Sequence, residues 1–291
     1  MKYKIRHLTE YTYQEAVSVC HNRLCLSPIN RDHQKCLSLD LQIYPSPDDL
    51  TKRIDFFGND LVFFSAYKEH DHLEIVSTSE VVIESRANVD LVTNSTFKWR
   101  DVKAALALNS KLNYNVIAYT LPSHHIPESN IVKEFFKDCF KENDTLWSAC
   151  NRVMTKIHKS LEFKPGFTTI NTPLDFVLKV KKGVCQDFAH VMITCFRNMG
   201  IPAQYVSGYI ETLPPPGKEK LTGSDASHAW VSIYFPTIGW VEFDPTNNFL
   251  PSDKHITVAY GRDYQDVVPI KGIIFSSGNH TLDVKVSVEK I

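Results

Sequence analysis

The feature that most limits the fold is a change of hydrophobic period part-way along the chain. Up to about residue 90, apolar residues recur at every second position, as in Tyr3-Lys4-Ile5-Arg6-His7 and Leu37-Ser38-Leu39-Asp40-Leu41-Gln42-Ile43. Alternation sends successive side chains to opposite faces of an extended chain, so each such segment reads as a half-buried strand. Pro45-Ser46-Pro47-Asp48-Asp49 and Phe57-Gly58-Asn59-Asp60 supply the turns between them. Short strands with frequent turns predict an N-terminal β-sandwich-like domain over residues 1–90.

From Asp101 onward the period becomes helical. Residues 101–109, 130–140 and 145–161 predict helices, the last with Leu146, Cys150, Val153, Met154 and Ile157 on one stripe. Another helix is predicted after Gly183, with Phe188, Met192, Cys195, Phe196 and Met199 on its apolar side and Gly200 and Pro202 to stop it. Residues 203–210 read as a buried strand and residues 281–289 as an alternating one. Past residue 90 the chain therefore mixes helical and strand signals.

Bulk properties exclude several classes of function. A net charge of −1 gives no electrostatic basis for a nucleic-acid or anionic-membrane partner. No apolar run approaches the roughly 18 residues that span a bilayer. The start, M-K-Y-K-I-R-H-L-T-E, lacks the apolar block of a secretory signal, so a cytoplasmic location is expected. Seven cysteines, an odd number without a C-x-x-C pair or zinc-site spacing, are expected to be mostly buried thiols. His124 and His125 are expected to be solvated, and no metal or cofactor is expected.

Cys185 stands apart from the other cysteines. It opens G-V-C-Q-D-F-A-H at the predicted helix start, where unpaired N–H groups and the helix dipole favour negative charge. Cys195 lies mid-helix and has neither advantage. Downstream come His228 in D-A-S-H-A-W and Asp244 in G-W-V-E-F-D-P-T-N. A thiol, an imidazole and a carboxylate, each at the edge of a regular element, are the groups thiol-based acyl transfer needs. Residues 227–235 and 240–244 read as a hairpin. Pairing Tyr234 with Ile238, Ser232 with Trp240 and Trp230 with Glu242 sets His228 opposite Asp244 on one face. A slip of one residue would part them. Segment 211–224, rich in proline, glycine and charge, is expected to be an exposed loop beside this site.

Those segments, with G-I-P-A-Q-Y-V-S-G-Y between the first two, resemble the successive core motifs of the transglutaminase-like superfamily. F-G-N at residues 57–59 and G-R-D-Y-Q-D-V-V-P-I-K-G from Gly261 extend the likeness toward bacterial members, over most of the chain. The resemblance implies that residues 91–291 form a papain-like, transglutaminase-like α+β catalytic domain with an antiparallel sheet and its core at about 145–250. It also implies Cys185 as nucleophile, His228 as general base and acid, and Asp244 as the group orienting His228. Many relatives carry Arg where this chain has Gln204.

The implied reaction passes through a Cys185 thioester formed on a glutamine carboxamide or peptide carbonyl of a protein or peptide substrate. An amine resolves it in a transglutaminase, water in a peptidase or amidase; a non-catalytic binding relative is the third reading. A fourth reading, cysteine and histidine as zinc ligands, is opposed by their poor spacing. The Cys185 backbone N–H is one expected oxyanion donor, worth about 3 kcal/mol. Trp147 is expected to pack in the core, and Gln186, Asp187 and His190 are given no chemical role.

Overall fold

The alternating segments form strands. The computed structural model describes residues 1–84, 89–108, 114–211 and 226–291. Six strands come first: β1 (Lys2–Val17), β2 (Val19–Leu24), β3 (Gln34–Tyr44), β4 (Asp49–Ile54), β5 (Asp60–Ala66) and β6 (His70–Ile83). Two late strands, β13 (Ile270–Phe275) and β14 (His280–Lys290), join them. The result is two antiparallel four-stranded sheets, ordered β14-β1-β6-β3 and β13-β2-β5-β4. Tyr13, Leu73 and Ile75 of one sheet meet Cys20, Leu24, Val62 and Phe64 of the other in a shared apolar layer. The sandwich therefore draws its strands from both ends of the chain.

The helical stretch gives α1 (Val89–Thr93), α2 (Val102–Leu108), α3 (Tyr114–Ile117), α4 (Asn130–Phe136), α5 (Leu146–Ser160), α6 (Leu174–Val180) and α7 (Cys185–Asn198). Thr145 caps α5, its hydroxyl accepting the Ser148 backbone N–H at 3.1 Å. The expected stripe of Leu146, Cys150, Val153, Met154 and Ile157 is buried. Two-residue strands β7 (Glu162–Phe163) and β8 (Lys182–Gly183) pair in parallel just ahead of α7. Gly200, at φ +72°, takes the left-handed conformation that ends α7.

A third sheet, ordered β11-β10-β9-β12, lies against α7. Its strands are β9 (Ala203–Ile210), β10 (Ala226–Phe235), β11 (Gly239–Phe243) and β12 (His255–Gly261). Phe188, Met192, Cys195 and Phe196 of α7 share a core with Tyr205, Val231, Ile233 and Ile256 of the sheet. That core continues into the sandwich through Tyr3, Ile5, Val81 and Val288.

Two buried carboxamides from the N-terminal region fasten the outer edge of β12. Gln34 accepts the Thr257 N–H at 2.8 Å and donates to the Thr257 carbonyl at 2.7 Å. Asn59, from the F-G-N turn, does the same for Tyr260 at 2.9 and 2.7 Å. Each side chain reproduces the pair of bonds a neighbouring strand would make. No helix among the described residues is long and apolar enough to cross a membrane.

Candidate active site

The sulfur-bearing end of α7 is built by its own first turn. Val184 is the N-cap, and Cys185 is the first helical residue. Asp187 reaches back: its Oδ2 accepts the Val184 N–H at 2.8 Å and the Thr168 hydroxyl at 2.6 Å. Burial raises the Asp187 pKa, against the lowering effect of these two bonds. Glycine at 183 makes room for this cap, because a Cβ there would lie 2.7 Å from Asp187 Oδ2.

Cys185 is partly exposed, whereas Cys20, Cys25, Cys139, Cys150 and Cys195 are buried. Burial pushes the Cys150 and Cys195 thiols well up. Cys36 is also partly exposed, but its thiol donates to the Ser38 carbonyl at 3.3 Å and burial raises its pKa. Cys185 alone sits at a helix mouth.

His228 lies on β10 and Asp244 just past the end of β11, but the hairpin differs from the expected pairing. Ser232 pairs with Glu242 and Tyr234 with Trp240, a shift of two residues, so the ladder ends at Val231–Phe243. Gly239 is the cause: at φ +98° it supplies the left-handed residue that closes a loop over Pro236, Thr237 and Ile238. Two residues is one full strand period, so the side-chain faces are unchanged. His228 and Asp244 still meet, with Nε2–H donating to Oδ2 at 2.7 Å.

Asp244 is fully buried and saturated with donors. Besides His228, its Oδ2 takes the Asn247 side-chain amide at 2.7 Å and His255 Nε2 at 3.1 Å. Its Oδ1 takes the backbone N–H groups of Thr246 at 3.0 Å and Asn247 at 3.1 Å. Burial by itself would raise this carboxyl; the bonds from His228 and His255 outweigh it and hold the group below the usual carboxylate range. Burial likewise opposes charge on His228. Hydrogen bonding to Asp244 and to the Cys185 thiol prevails and raises the ring to about 10. With Nε2 committed to Asp244, Nδ1 is the nitrogen left for the sulfur. The structure thus brings all three predicted residues together, with the ring between thiol and carboxylate.

Other sequence expectations divide. Trp147 packs against Phe243, with ring centroids 5.9 Å apart, as expected of a core residue. His190 is buried, its Nε2 accepting the Tyr264 N–H at 3.2 Å. His124 is exposed as expected, whereas His125 is only partly so: it stacks on His190 at 5.3 Å, and its backbone N–H reaches Asp263 at 2.9 Å. Burial of the loop's inner side, invisible in a local reading of S-H-H-I-P, explains the difference. Residues 212–224, all but the first of the segment read as an exposed loop, lie outside the described residues.

Sequence reasoning missed His255 and Asn247. Asn247 lies in the same D-P-T-N run as Asp244, and that adjacency marks it. His255 opens an ordinary-looking strand, and nothing in its spacing marks it. His228, Asp244 and His255 also bring ligating atoms within 4.8 Å of one another. A cation there would have to displace the hydrogens both rings give to Asp244.

A thiol at a helix N-terminus, joined through histidine to a buried aspartate over an antiparallel sheet, is the arrangement the core motifs implied. Residues 133–245 match the transglutaminase-like superfamily, and residues 3–82 match the bacterial transglutaminase-like N-terminal region. The chain is 35% identical over 294 residues to an uncharacterized protein of Mycobacterium tuberculosis, covering 99% of this chain and 92% of that one. The chain belongs to the transglutaminase-like superfamily. A protein-glutamine gamma-glutamyltransferase of Pseudomonas aeruginosa is 29% identical over 132 residues, covering 45% of this chain and 20% of that one. In fold, the chain is similar to a crystal structure of a candidate cysteine protease from Cytophaga hutchinsonii. That match has a TM-score of 0.76 at 21% identity and covers 100% of this chain and 91% of that one. Family membership supports a thiol-dependent enzyme in general terms.

Proposed function

We propose that the protein is a cysteine acyltransferase acting on the glutamine carboxamides of a protein or peptide. The supporting observation is the single imidazole shared by Cys185 and a fully buried, donor-saturated Asp244. An imidazolium beside the sulfur is the counter-charge that a thiolate nucleophile requires.

In the proposed reaction, Cys185 Sγ attacks the carboxamide carbon and the carbonyl oxygen takes the negative charge at the α7 N-terminus. The oxyanion collapses, the C–N bond breaks, and His228 gives its proton to the departing ammonia, leaving a thioester. A primary amine then attacks the thioester carbon; His228 takes its proton, the C–S bond breaks and the thiolate returns. The product is a substituted amide, and Asp244 keeps the ring oriented throughout. Water in place of the amine would make the same groups a deamidase, and a backbone carbonyl in place of the carboxamide a peptidase.

Incubating the protein with glutamine-containing peptides, with and without a primary amine, separates these outcomes by product mass. Acyl transfer predicts an adduct that gains the amine and loses ammonia, absent with Cys185→Ala. Two peptide fragments would show proteolysis instead. No Cys185-dependent change in any peptide would end the catalytic reading.

A further inference from the structure

We infer that His255 is a positioning residue of this site, donating Nε2–H to Asp244 Oδ2 to keep that carboxylate ionised and turned toward His228. The inference deepens the acyl-transfer reading and rests on it for the roles of Cys185 and His228.

The location of the proton follows from the other ring nitrogen. The Ser252 backbone N–H points at His255 Nδ1 from 3.3 Å. A backbone N–H can only donate, so Nδ1 offers a lone pair and the ring carries its hydrogen on Nε2. That nitrogen lies 3.1 Å from Asp244 Oδ2. Two imidazoles, one carboxamide and two backbone N–H groups thus converge on a carboxylate with about four lone-pair directions. No direction remains for a proton.

The ring is held in place by packing. His255 is fully buried, with Trp230 edge-on at 5.2 Å and Phe249 edge-on at 5.6 Å. The groups facing Asp244 are His228 from β10, His255 from β12 and Asn247 from its own turn, with Cys185 of α7 beyond His228. Glu242 of β11 is engaged by the Trp230 Nε1–H and the Tyr260 hydroxyl, each at 2.8 Å.

A donor to a carboxylate favours its charged form, so removing one makes the group easier to protonate. A protonated Asp244 would deprive His228 of its counter-charge and weaken the pairing with Cys185. Loss of His255 should therefore move the acid limb of Cys185 reactivity to higher pH.

The test is the pH dependence of Cys185 alkylation by iodoacetamide in the whole protein, followed by mass spectrometry of the Cys185 peptide, with and without chelator. His255→Phe keeps a ring in the pocket but removes the donor. Its acid limb should rise by about one pH unit, so that alkylation along that limb falls roughly tenfold while the rate at about pH 9 is unchanged. His255→Gln retains an N–H donor and should recover most of the loss.

A His255→Phe profile that superimposes on wild type overturns the inference. So does an equal shift in both variants, which would mark packing alone, or a chelator effect on wild type, which would make the trio a metal site. Should His255→Phe not fold, ¹⁵N spectra of histidine-labelled wild-type protein decide the matter: the Nε2–H tautomer is expected, and Nδ1–H overturns it. A wild-type thiol that reacts only as a free cysteine does, near pH 8.5, would instead sink the acyl-transfer reading.

Discussion

At the residue scale, the site is a chain of charge control running from Asp244 through His228 to Cys185. His228 is raised to about 10 by its partners, above the roughly 6.5 of an unfolded chain. Its ion pairing therefore stabilises the fold fully below about pH 6.5, and the contribution is lost as pH rises toward 10. Denaturation curves measured across that window should slope downward, and His228→Gln should flatten them. His228→Ala should cost turnover by about 10⁶-fold and Asp244→Asn by about 10⁴-fold, since the latter leaves the sulfur and ring in place. Equal turnover of Asp244→Asn and wild type would remove Asp244 from the mechanism. These three residues were legible in sequence because each sits in a short local motif at the edge of an element. His255 was not, because its meeting with Asp244 depends on the tight turn after Asp244 and on β9 lying between β10 and β12.

At the scale of elements, strand and helix periods were readable, but the hairpin register was displaced by the positive φ of Gly239. The displacement leaves the site intact, because its parity is even. Gly208 shows how closely the strands around His228 are fitted. It pairs with His228 on one side and Thr257 on the other. A Cβ there would lie 2.1 Å from the Ile256 carbonyl oxygen and 2.5 Å from the Trp230 ring. Backbone and a fully buried indole cannot both retreat, so Gly208→Ala should destabilise by about 3 kcal/mol or more. Chemical denaturation checks this, and a loss under about 1 kcal/mol would mean the sheet is looser than described.

At the scale of the whole molecule, the alternation of residues 281–289 announced a strand but could not say which strand it joins, because pairing partners so distant in sequence leave no local trace. β14 runs antiparallel along β1, with Ile5 opposite Val288. The joint between sandwich and α+β core holds a titratable group, His7 of β1, whose Nδ1 meets the Tyr209 hydroxyl at 2.8 Å. Burial lowers this ring to about 4, so the folded protein keeps it neutral where an unfolded chain would take up a proton. Stability should therefore fall as pH drops from about 6.5 to 4, opposite in direction to the His228 effect. His7→Gln should reduce that acid-side slope in pH-resolved unfolding; an unaltered slope would place the sensitivity elsewhere.

The two carboxamides on β12 carry one more consequence. At Thr257 and Tyr260 the strand's outward hydrogen-bonding positions are already taken by Gln34 and Asn59. An incoming peptide, or a second molecule seeking to extend the layer by main-chain zippering, meets an occupied margin there. Growth of this sheet is barred on the side nearest His255, and side chains of the N-terminal region are what bar it.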